Sequence, residues 1–324
     1  AAPRSSSIPT DFFGSDMLET IIQQGINALQ LGSYYSLIAL GYCLVYGVLL
    51  LINFAHGDIF MVGAYIAFFC ATAFLGKFGY IDPGMPGWIV LALTVPLTML
   101  LTSGVGVFIE RVAYRPLRLK GANRLYVVIT ALMMGIVLEY GNLAMLGASR
   151  KSFPTLVPRT IFEIGGATVT SLKLAAIVTS FLVFGLLQWI VTRTKLGMAM
   201  RAVSYDKFAV PLMGIPLDII IVFTFFLGSS MAGLAGLLYA MNFPVLDPFM
   251  GALVGWKAFI AAVVGGIGDI RGAFIGGFLL AFLEVTVAAT FSSELRDLIS
   301  FTILLGILSW KPTGLFGKPR TTKI

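Results

Sequence analysis

The amino-acid sequence predicts an all-α polytopic membrane protein with eight to ten transmembrane helices. Three observations lead to this fold class. Hydrophobic residues make up 58% of the 324 residues and charged residues only 11%. Apolar runs approach the length of about 20 residues that a membrane-spanning helix needs, and short polar breaks separate them. A soluble domain is about one quarter charged, so the composition excludes an ordinary soluble enzyme, a disordered chain and a nucleic-acid-binding protein.

The apolar runs give ten candidate helices. Residues 17–52 are interpreted as two helices that meet at Gly32, because polar side chains crowd into the first half and make it amphipathic. The other candidates cover 59–75, 88–110, 125–147, 171–192, 217–241, 254–266, 272–291 and 298–310, with a loop over 76–88. The transmembrane domain covers 17–311, preceded by a polar segment over 1–16 that is disordered or foreign to the natural chain, and followed by a tail over 312–324.

The placement of Lys and Arg predicts the orientation. Thirteen of the 22 basic residues lie within 110–124, 193–216 and 311–323, which ten alternating spans place on one face. Positive residues concentrate on cytoplasmic loops, so both termini are expected in the cytoplasm. Arg150, Lys151 and Arg159 fall in an opposite loop and weaken the bias.

Residues 193–216 form an unusually long segment on the predicted cytoplasmic face. Its apolar residues recur at helical spacing: Met198, Ala202, Ala209, Leu212 and Met213, against Arg201, Asp206 and Lys207. This pattern is typical of a helix lying flat under the membrane. Such a helix can rest on lipid or dock into a groove of a cytoplasmic partner.

Five sequence blocks resemble the LivH-type permeases of branched-chain amino acid ABC transporters. They are GYCLVYGVLLLINFAHGDIFMVGAYIA, ERVAYRPLR, TKLGMAMRAVSYDKFAVPLMGI, WKAFIAAVVGGIGDIRGAFIGG and KPTGLFGKP, in this order along the chain. The resemblance implies a pseudo-symmetric helical importer permease with no catalytic residues of its own. It also implies that 193–216 is the coupling helix that receives motion from an ATPase, with the coupling residues Met198, Arg201, Ala202, Asp206, Lys207, Leu212 and Gly214.

The resemblance further implies a set of partners and a place in the cell. The expected partners are a second related permease in a heterodimer, two ATP-binding subunits that carry ATP and Mg, and an external solute-binding protein. No cofactor is expected on this chain, which contains no GxxxxGK[ST] motif for nucleotide binding. The expected location is the bacterial inner membrane, and the expected cargo is leucine, isoleucine, valine or a related amino acid.

Ionisable residues within apolar runs are costly unless they meet a partner or a wet cavity. Lys257 and Glu284 lie in consecutive helices at similar predicted depth, so we expect them to pair or to flank the pathway. An inert ion pair that orients two helices is the alternative. Glu139, in a third span, is either protonated or hydrogen-bonded between helices, or it belongs to an ion pathway.

Two polar breaks share one local pattern, in which Gly57-Asp58-Ile59 matches Gly268-Asp269-Ile270. Asp58 is expected to cap a helix that starts at Ile59, and the match suggests two related halves with broken helices. Both breaks are expected near the cytoplasmic side, as an inner gate or hinge. His56 is the single histidine and is either a structural hydrogen-bonding residue or a proton-sensitive group. The predicted pathway or gate residues are Asn53, His56, Gly57, Asp58, Lys257, Gly268, Asp269 and Glu284.

Other functions receive less support from the sequence. A secondary transporter or channel working alone would use Glu139, Glu284 and Lys257 as an ion pathway, but it leaves 193–216 without a role. A membrane-embedded enzyme lacks paired catalytic carboxylates and a nucleophile motif. Cys43 and Cys70 lie in apolar runs without metal-ligand spacing, so no metal site is expected.

Overall fold

The computed structural model describes residues 11–76 and 85–317, which form a bundle of helices. The predicted segment 1–16, the loop 76–88 and the tail 312–324 lie partly outside these residues. The helices are α1 Asp11–Leu49, α2 His56–Phe74, α3 Gly87–Ile109, α4 Arg115–Leu119, α5 Arg124–Leu146, α6 Ser171–Arg193, α7 Lys195–Tyr205, α8 Ala209–Leu212, α9 Leu217–Asn242, α10 Met250–Gly266, α11 Ile270–Thr290 and α12 Arg296–Trp310. A π-helical turn, Glu110–Tyr114, joins α3 to α4.

In the part of the chain that the structure describes, four short strands connect helices at one end of the bundle. β1 (Lys151–Ser152) pairs with β4 (Val245–Leu246) in antiparallel register. β2 (Ile161–Ile164) and β3 (Ala167–Thr170) form an antiparallel hairpin immediately before α6.

The first helix is continuous, so the division of 17–52 into two helices is wrong. Gly32 lies within α1, where the absence of a side chain allows close packing against α11. A Cβ at this position would lie 2.5 Å from the Phe278 ring. Polar side chains in the first half of α1 form hydrogen bonds with neighbouring segments. Gln23 accepts a hydrogen bond from the Thr168 amide at 2.8 Å, and the Gln30 amide donates to Asn242 at 3.1 Å.

Seven helices in the described residues are long and apolar enough to cross a membrane. They are Met17–Leu49, His56–Phe74, Gly87–Leu119, Arg124–Leu146, Ser171–Arg193, Leu217–Asn242 and Ile270–Thr290. Helix α10 is apolar but has only 17 residues, and α12 has 15. The predicted count of eight to ten transmembrane helices is therefore not confirmed.

The bundle has two distinct ends. The β2–β3 hairpin contacts the early part of α1 through Gln23, and we call this end the hairpin face. The connection between α7 and α8 borders the same cavity as Leu49, at the other end of α1, and we call this end the α7 face.

The α7 face also holds the end of the described chain. The backbone amides of Leu315 and Phe316 donate to the carbonyls of Val264 and Gly265, at the end of α10. Residues 311–317 and the start of α1 therefore lie at opposite ends of the bundle. Because α1 is one helix rather than two, the described ends of the chain do not meet at one face, and the expected cytoplasmic placement of both termini stays a prediction.

Helix α9 lies at the centre of the bundle, where small residues allow close contact. A Cβ on Gly63 of α2 would lie 2.7 Å from the Gly233 Cα. A Cβ on Gly236 would lie 2.6 Å from the Phe60 carbonyl oxygen. Small residues at four-residue spacing let membrane helices approach closely, so the small face of α9 sets the positions of α1, α2 and α3.

Candidate functional site

The first polar break places the start of α2 inside the bundle. The His56 amide donates to the Asn53 carbonyl at 3.1 Å, and the Tyr114 hydroxyl donates to the Asn53 side chain at 2.8 Å. The buried His56 ring packs edge-on against Tyr42, with ring centroids 4.8 Å apart, and directly against Gly41. Because Gly41 precedes the end of α1 by eight residues, α2 begins about 12 Å along α1 from the α7 face.

The two breaks differ in geometry despite their shared sequence. Asp269 caps α11, since its carboxylate accepts from the Arg271 and Gly272 amides at 2.9 and 3.0 Å. Asp58 caps nothing, because α2 already starts at His56 and the residue at its N-cap, Ala55, makes no side-chain bond. The predicted capping role of Asp58 is therefore wrong.

The depths of the two breaks also differ. Gly268 contacts Gly47 near the end of α1, its carbonyl oxygen lying 3.5 Å from the position of a Gly47 Cβ. This location fits the expectation that both breaks lie near one face. The start of α2, which holds Gly57 and Asp58, lies deeper in the bundle than Gly268, and the expected place of the first break near the cytoplasmic side stays a prediction.

A cavity of about 140 Å³ lies between α2, α5 and α10. We call it the acidic cavity because its lining includes the carboxylates of Asp58 and Glu139. The other lining residues are Tyr42, Phe54, Gly57, Leu132, Gly135, Ile136, Gly251, Ala252, Gly255 and Trp256. No Lys or Arg belongs to this lining.

Glycines bring the walls of the acidic cavity close to Asp58. A Cβ on Gly251 would lie 2.7 Å from Asp58 Oδ1, and one on Gly135 would lie 2.5 Å from Oδ2. Asp58 is 8% exposed, and Oδ1 has no hydrogen-bond partner among the described residues. A carboxylate in low-dielectric surroundings attracts a cation strongly, so the cavity suits a small cationic group.

The acidic cavity could not be predicted from the sequence. Asp58 was interpreted as a helix cap and a pathway or gate residue. Glu139, 81 positions away, was interpreted as protonated, as hydrogen-bonded between helices or as part of an ion pathway, and the two were not connected. Only the packing of α5 across the start of α2 brings these carboxylates to one cavity. The aromatic neighbours Phe54 and Trp256, whose ring centroids are 5.4 Å apart, were not singled out either.

A second group of charges connects α10, α11 and α12, and it confirms the predicted pairing of Lys257 with Glu284. Lys257 Nζ lies 3.1 Å from Glu284 Oε1 and 2.7 Å from Asp297 Oδ1. The Tyr35 hydroxyl of α1 donates to Glu284 Oε2 at 3.0 Å. Arg296 Nε lies 3.2 Å from Asp297 Oδ1. We call these five residues the ion cluster.

The ion cluster is nearly neutral and holds four helices together. Glu284 is fully buried and the Lys257 side chain almost so. The sequence interpretation did not include Tyr35, Arg296 or Asp297. The adjacent opposite charges before the apolar run of α12 were the one available signal. Whether the cluster borders a solute pathway stays a prediction.

The segment 193–216 forms two helices rather than one continuous helix. Asp206 ends α7, and its Oδ1 accepts from the Phe208 and Ala209 amides at 2.8 and 3.1 Å. The inward residues that attach the segment to the bundle are Gly197, Met200, Val203 and Val210. The sequence interpretation missed this inward face.

The outward side of the segment that holds α7 and α8 carries both large apolar and charged side chains. Met198, Leu212 and Met213 are 62%, 89% and 77% exposed. We call these three residues the docking surface. The charged residues Arg201, Asp206 and Lys207 are also exposed, and Gly214 turns the chain back toward α9 with φ of +77°.

The bundle and its seven long apolar helices define a polytopic membrane protein, with large apolar side chains exposed at the α7 face. Comparison with known families identifies it further. The family model of the branched-chain amino acid transport system permease component matches residues 25–308. The chain belongs to this family, as the resemblance of its five sequence blocks predicted.

Curated relatives match over nearly their whole length. The chain is 39% identical over 307 residues to the high-affinity branched-chain amino acid transport system permease protein BraD of Pseudomonas aeruginosa, covering 94% of this chain and 98% of the relative. It is 36% identical over 315 residues to the corresponding permease protein LivH of Escherichia coli K12, covering 96% and 100%. LivH of Salmonella typhimurium is also 36% identical, over 314 residues.

Proposed function

We propose that this chain is the permease subunit of an ATP-driven importer that moves branched-chain or related amino acids across the bacterial inner membrane. The observation that carries the proposal is family membership over residues 25–308. The permeases of known name that it resembles at 36–39% identity belong to branched-chain amino acid transport systems. ATP and Mg bind to separate partner subunits, and this chain carries out no catalysis.

The docking surface is the proposed contact for an ATP-binding subunit. Three large apolar side chains, Met198, Leu212 and Met213, project from a segment whose inward face is already buried against the bundle. An exposed apolar helix face of this kind fits a groove on a partner. The α7 face is then cytoplasmic, in agreement with its Lys and Arg residues. The hairpin face is external, where a solute-binding protein delivers the cargo.

The acidic cavity is the proposed part of the solute pathway. An amino acid carries an ammonium group, which the carboxylates of Asp58 and Glu139 would attract in the membrane interior. The aromatic walls at Phe54 and Trp256 offer an apolar surface to a branched aliphatic side chain. The ion cluster instead holds α10, α11 and α12 in position beside this pathway.

A second, related permease is the proposed occupant of the lipid-accessible side of the acidic cavity. Helix α5 contributes one wall, and its outward residues are large and apolar, among them Met133, Val137 and Tyr140. Pairing two permeases across this side would enclose the cavity between them. A heterodimer with two ATP-binding subunits completes the proposed assembly.

The docking assignment is tested with Leu212→Glu combined with Met213→Glu. Placing two charges on the docking surface should remove most of the ATP-binding subunits that co-purify, and ATP-dependent leucine uptake into proteoliposomes should fall at least tenfold. Trp88→Glu is the matched control, because Trp88 is also largely exposed but lies at the start of α3, outside α5 and at the end of the bundle opposite the α7 face. Unchanged co-purification and uptake in the double variant would remove α7 and α8 from the contact.

A further inference from the structure

A second cavity lies at the hairpin face, between α1, α6, α9 and α12. Its volume is about 380 Å³. We call it the basic cavity, since three cationic side chains line it: Arg159, Lys173 and Arg296. Amide side chains complete the polar part of the wall, at Asn27, Gln30 and Asn242. The basic cavity shares no lining residue with the acidic cavity.

Two of the three cations lack an acidic partner. Lys173 Nζ donates to the Asn27 side-chain oxygen at 2.7 Å, and Arg159 Nη2 to the Met241 carbonyl at 3.4 Å. Among the side chains that the structure describes, in residues 17–76 and 85–317, no carboxylate forms an ion pair within 4.0 Å of either cation. Arg296 is partly neutralised by Asp297 and Glu284. The basic cavity therefore carries excess positive charge.

The walls of the basic cavity also have an apolar part. Leu31, Leu172 and Val285 line it beside the polar groups. Helices α6 and α11 touch lower in the bundle, where the Phe181 ring lies 5.2 Å from the Phe274 ring. Lys173 is eight residues before Phe181, or about 12 Å along α6. The cavity thus lies near the start of α6, which is one end of a candidate membrane span, where the polar boundary of a bilayer is expected.

We propose that the basic cavity binds a phosphate group at the membrane boundary, carried by a phospholipid headgroup or by free phosphate. Lys and Arg donors form charge-assisted hydrogen bonds with phosphate oxygens, and basic pockets between transmembrane helices bind lipid headgroups. The phosphate oxygens face Lys173 and Arg159, which are the charged donors of the cavity. A lipid in this place would run its acyl chains along the apolar outer face of α6.

The test uses the full chain, purified with its accompanying subunits and delipidated in detergent. Thermal unfolding is followed while phosphatidylglycerol, inorganic phosphate or dioleoylglycerol is added, because a ligand that binds the folded state raises the midpoint. Phosphatidylglycerol or inorganic phosphate should raise the midpoint of the wild type. Dioleoylglycerol, which has acyl chains but no phosphate, should not.

Three variants identify the site. Arg159→Gln combined with Lys173→Gln should weaken the apparent affinity at least tenfold, whereas Lys173→Arg should keep it. Arg150→Gln is the matched control, since Arg150 lies at the same face but pairs with Asp247 outside the cavity. If only phosphatidylglycerol raises the unfolding midpoint, the bound phosphate belongs to a lipid headgroup. If inorganic phosphate also raises the midpoint, the cavity binds the free anion as well.

Two results would overturn the proposal. One is no response to either phosphate compound, or an equal response to dioleoylglycerol. The other is an unchanged affinity in the double variant. If the double variant does not purify, native mass spectrometry of Lys173→Gln serves instead. The Lys173→Gln variant should retain one phosphate-containing ligand fewer than the wild type. An equal number of such ligands in the two proteins would contradict the assignment.

Discussion

Removing Lys257 should destabilise the fold more than neutralising Glu284, because the two changes leave different charges behind. In Lys257→Met, the fully buried Glu284 keeps only the Tyr35 hydrogen bond at 3.0 Å and Arg296 at 3.8 Å. Breaking a buried pair by removing one partner costs 3–5 kcal/mol. This residual compensation places the expected loss of unfolding free energy at about 3 kcal/mol.

Glu284→Gln should cost less. Lys257 retains Asp297 at 2.7 Å, and the amide oxygen at position 284 still accepts from Tyr35, so the expected loss is about 1–2 kcal/mol. The double variant, Lys257→Met with Glu284→Gln, leaves no buried carboxylate without its cation. Its expected loss of unfolding free energy is therefore about 2–3 kcal/mol, which is less than the sum of the two single losses. The coupling free energy is then about 2 kcal/mol.

The wild type, the two single variants and the double variant form a double-mutant cycle. The unfolding free energy of each is measured in mixed micelles by circular dichroism as denaturing detergent is added. The matched control is the cycle of Arg150→Met and Asp247→Asn, an exposed pair 3.1 Å apart whose coupling should stay below about 1 kcal/mol. Additive losses within about 0.5 kcal/mol for the buried pair would refute the reasoning.

Three further predictions follow from the same structure. Asp58→Asn should lower ATP-dependent leucine uptake at least tenfold while the ATP-binding subunits still co-purify; Glu294→Gln, an exposed control, should change neither. Asp269→Ala should cost about 1 kcal/mol of unfolding free energy through loss of the α11 cap, and Asp269→Asn should restore most of it. Gly63→Val should lower the unfolding free energy by about 1–3 kcal/mol, because the larger side chain forces α2 away from α9. Gly185→Ala is the comparison, since a Cβ there meets open space, and an equal loss of unfolding free energy in both variants would contradict the close packing.

The sequence predicted those features that depend on short segments. The family, the helical membrane fold and most helix positions follow from apolar runs and from five sequence blocks. The Lys257–Glu284 pair was also predicted, because few ionisable residues occur in apolar runs and these two lie at matching depth. The family prediction needs only the resemblance of the five blocks, and the other predictions need only the spacing of residues along the chain.

The features that were missed depend on contacts between distant segments. Gly32 has the composition of a helix break, but its neighbour Phe278 lies 246 positions away and makes it a contact point. Asp58 has the sequence context of a cap, yet α2 starts two residues earlier, inside the bundle. The inward face of α7 is apolar at Met200 and Val203, and only the packing against α6 and α9 separates it from the outward docking surface.

The most direct test of the proposed function is gentle purification of this chain from its native membrane, followed by quantitative mass spectrometry and an uptake assay of the same sample. The account predicts near-stoichiometric ATP-binding subunits and a second permease, with leucine uptake that requires ATP and an added binding protein. Recovery of the chain alone, in a form that transports solute without ATP, would contradict it.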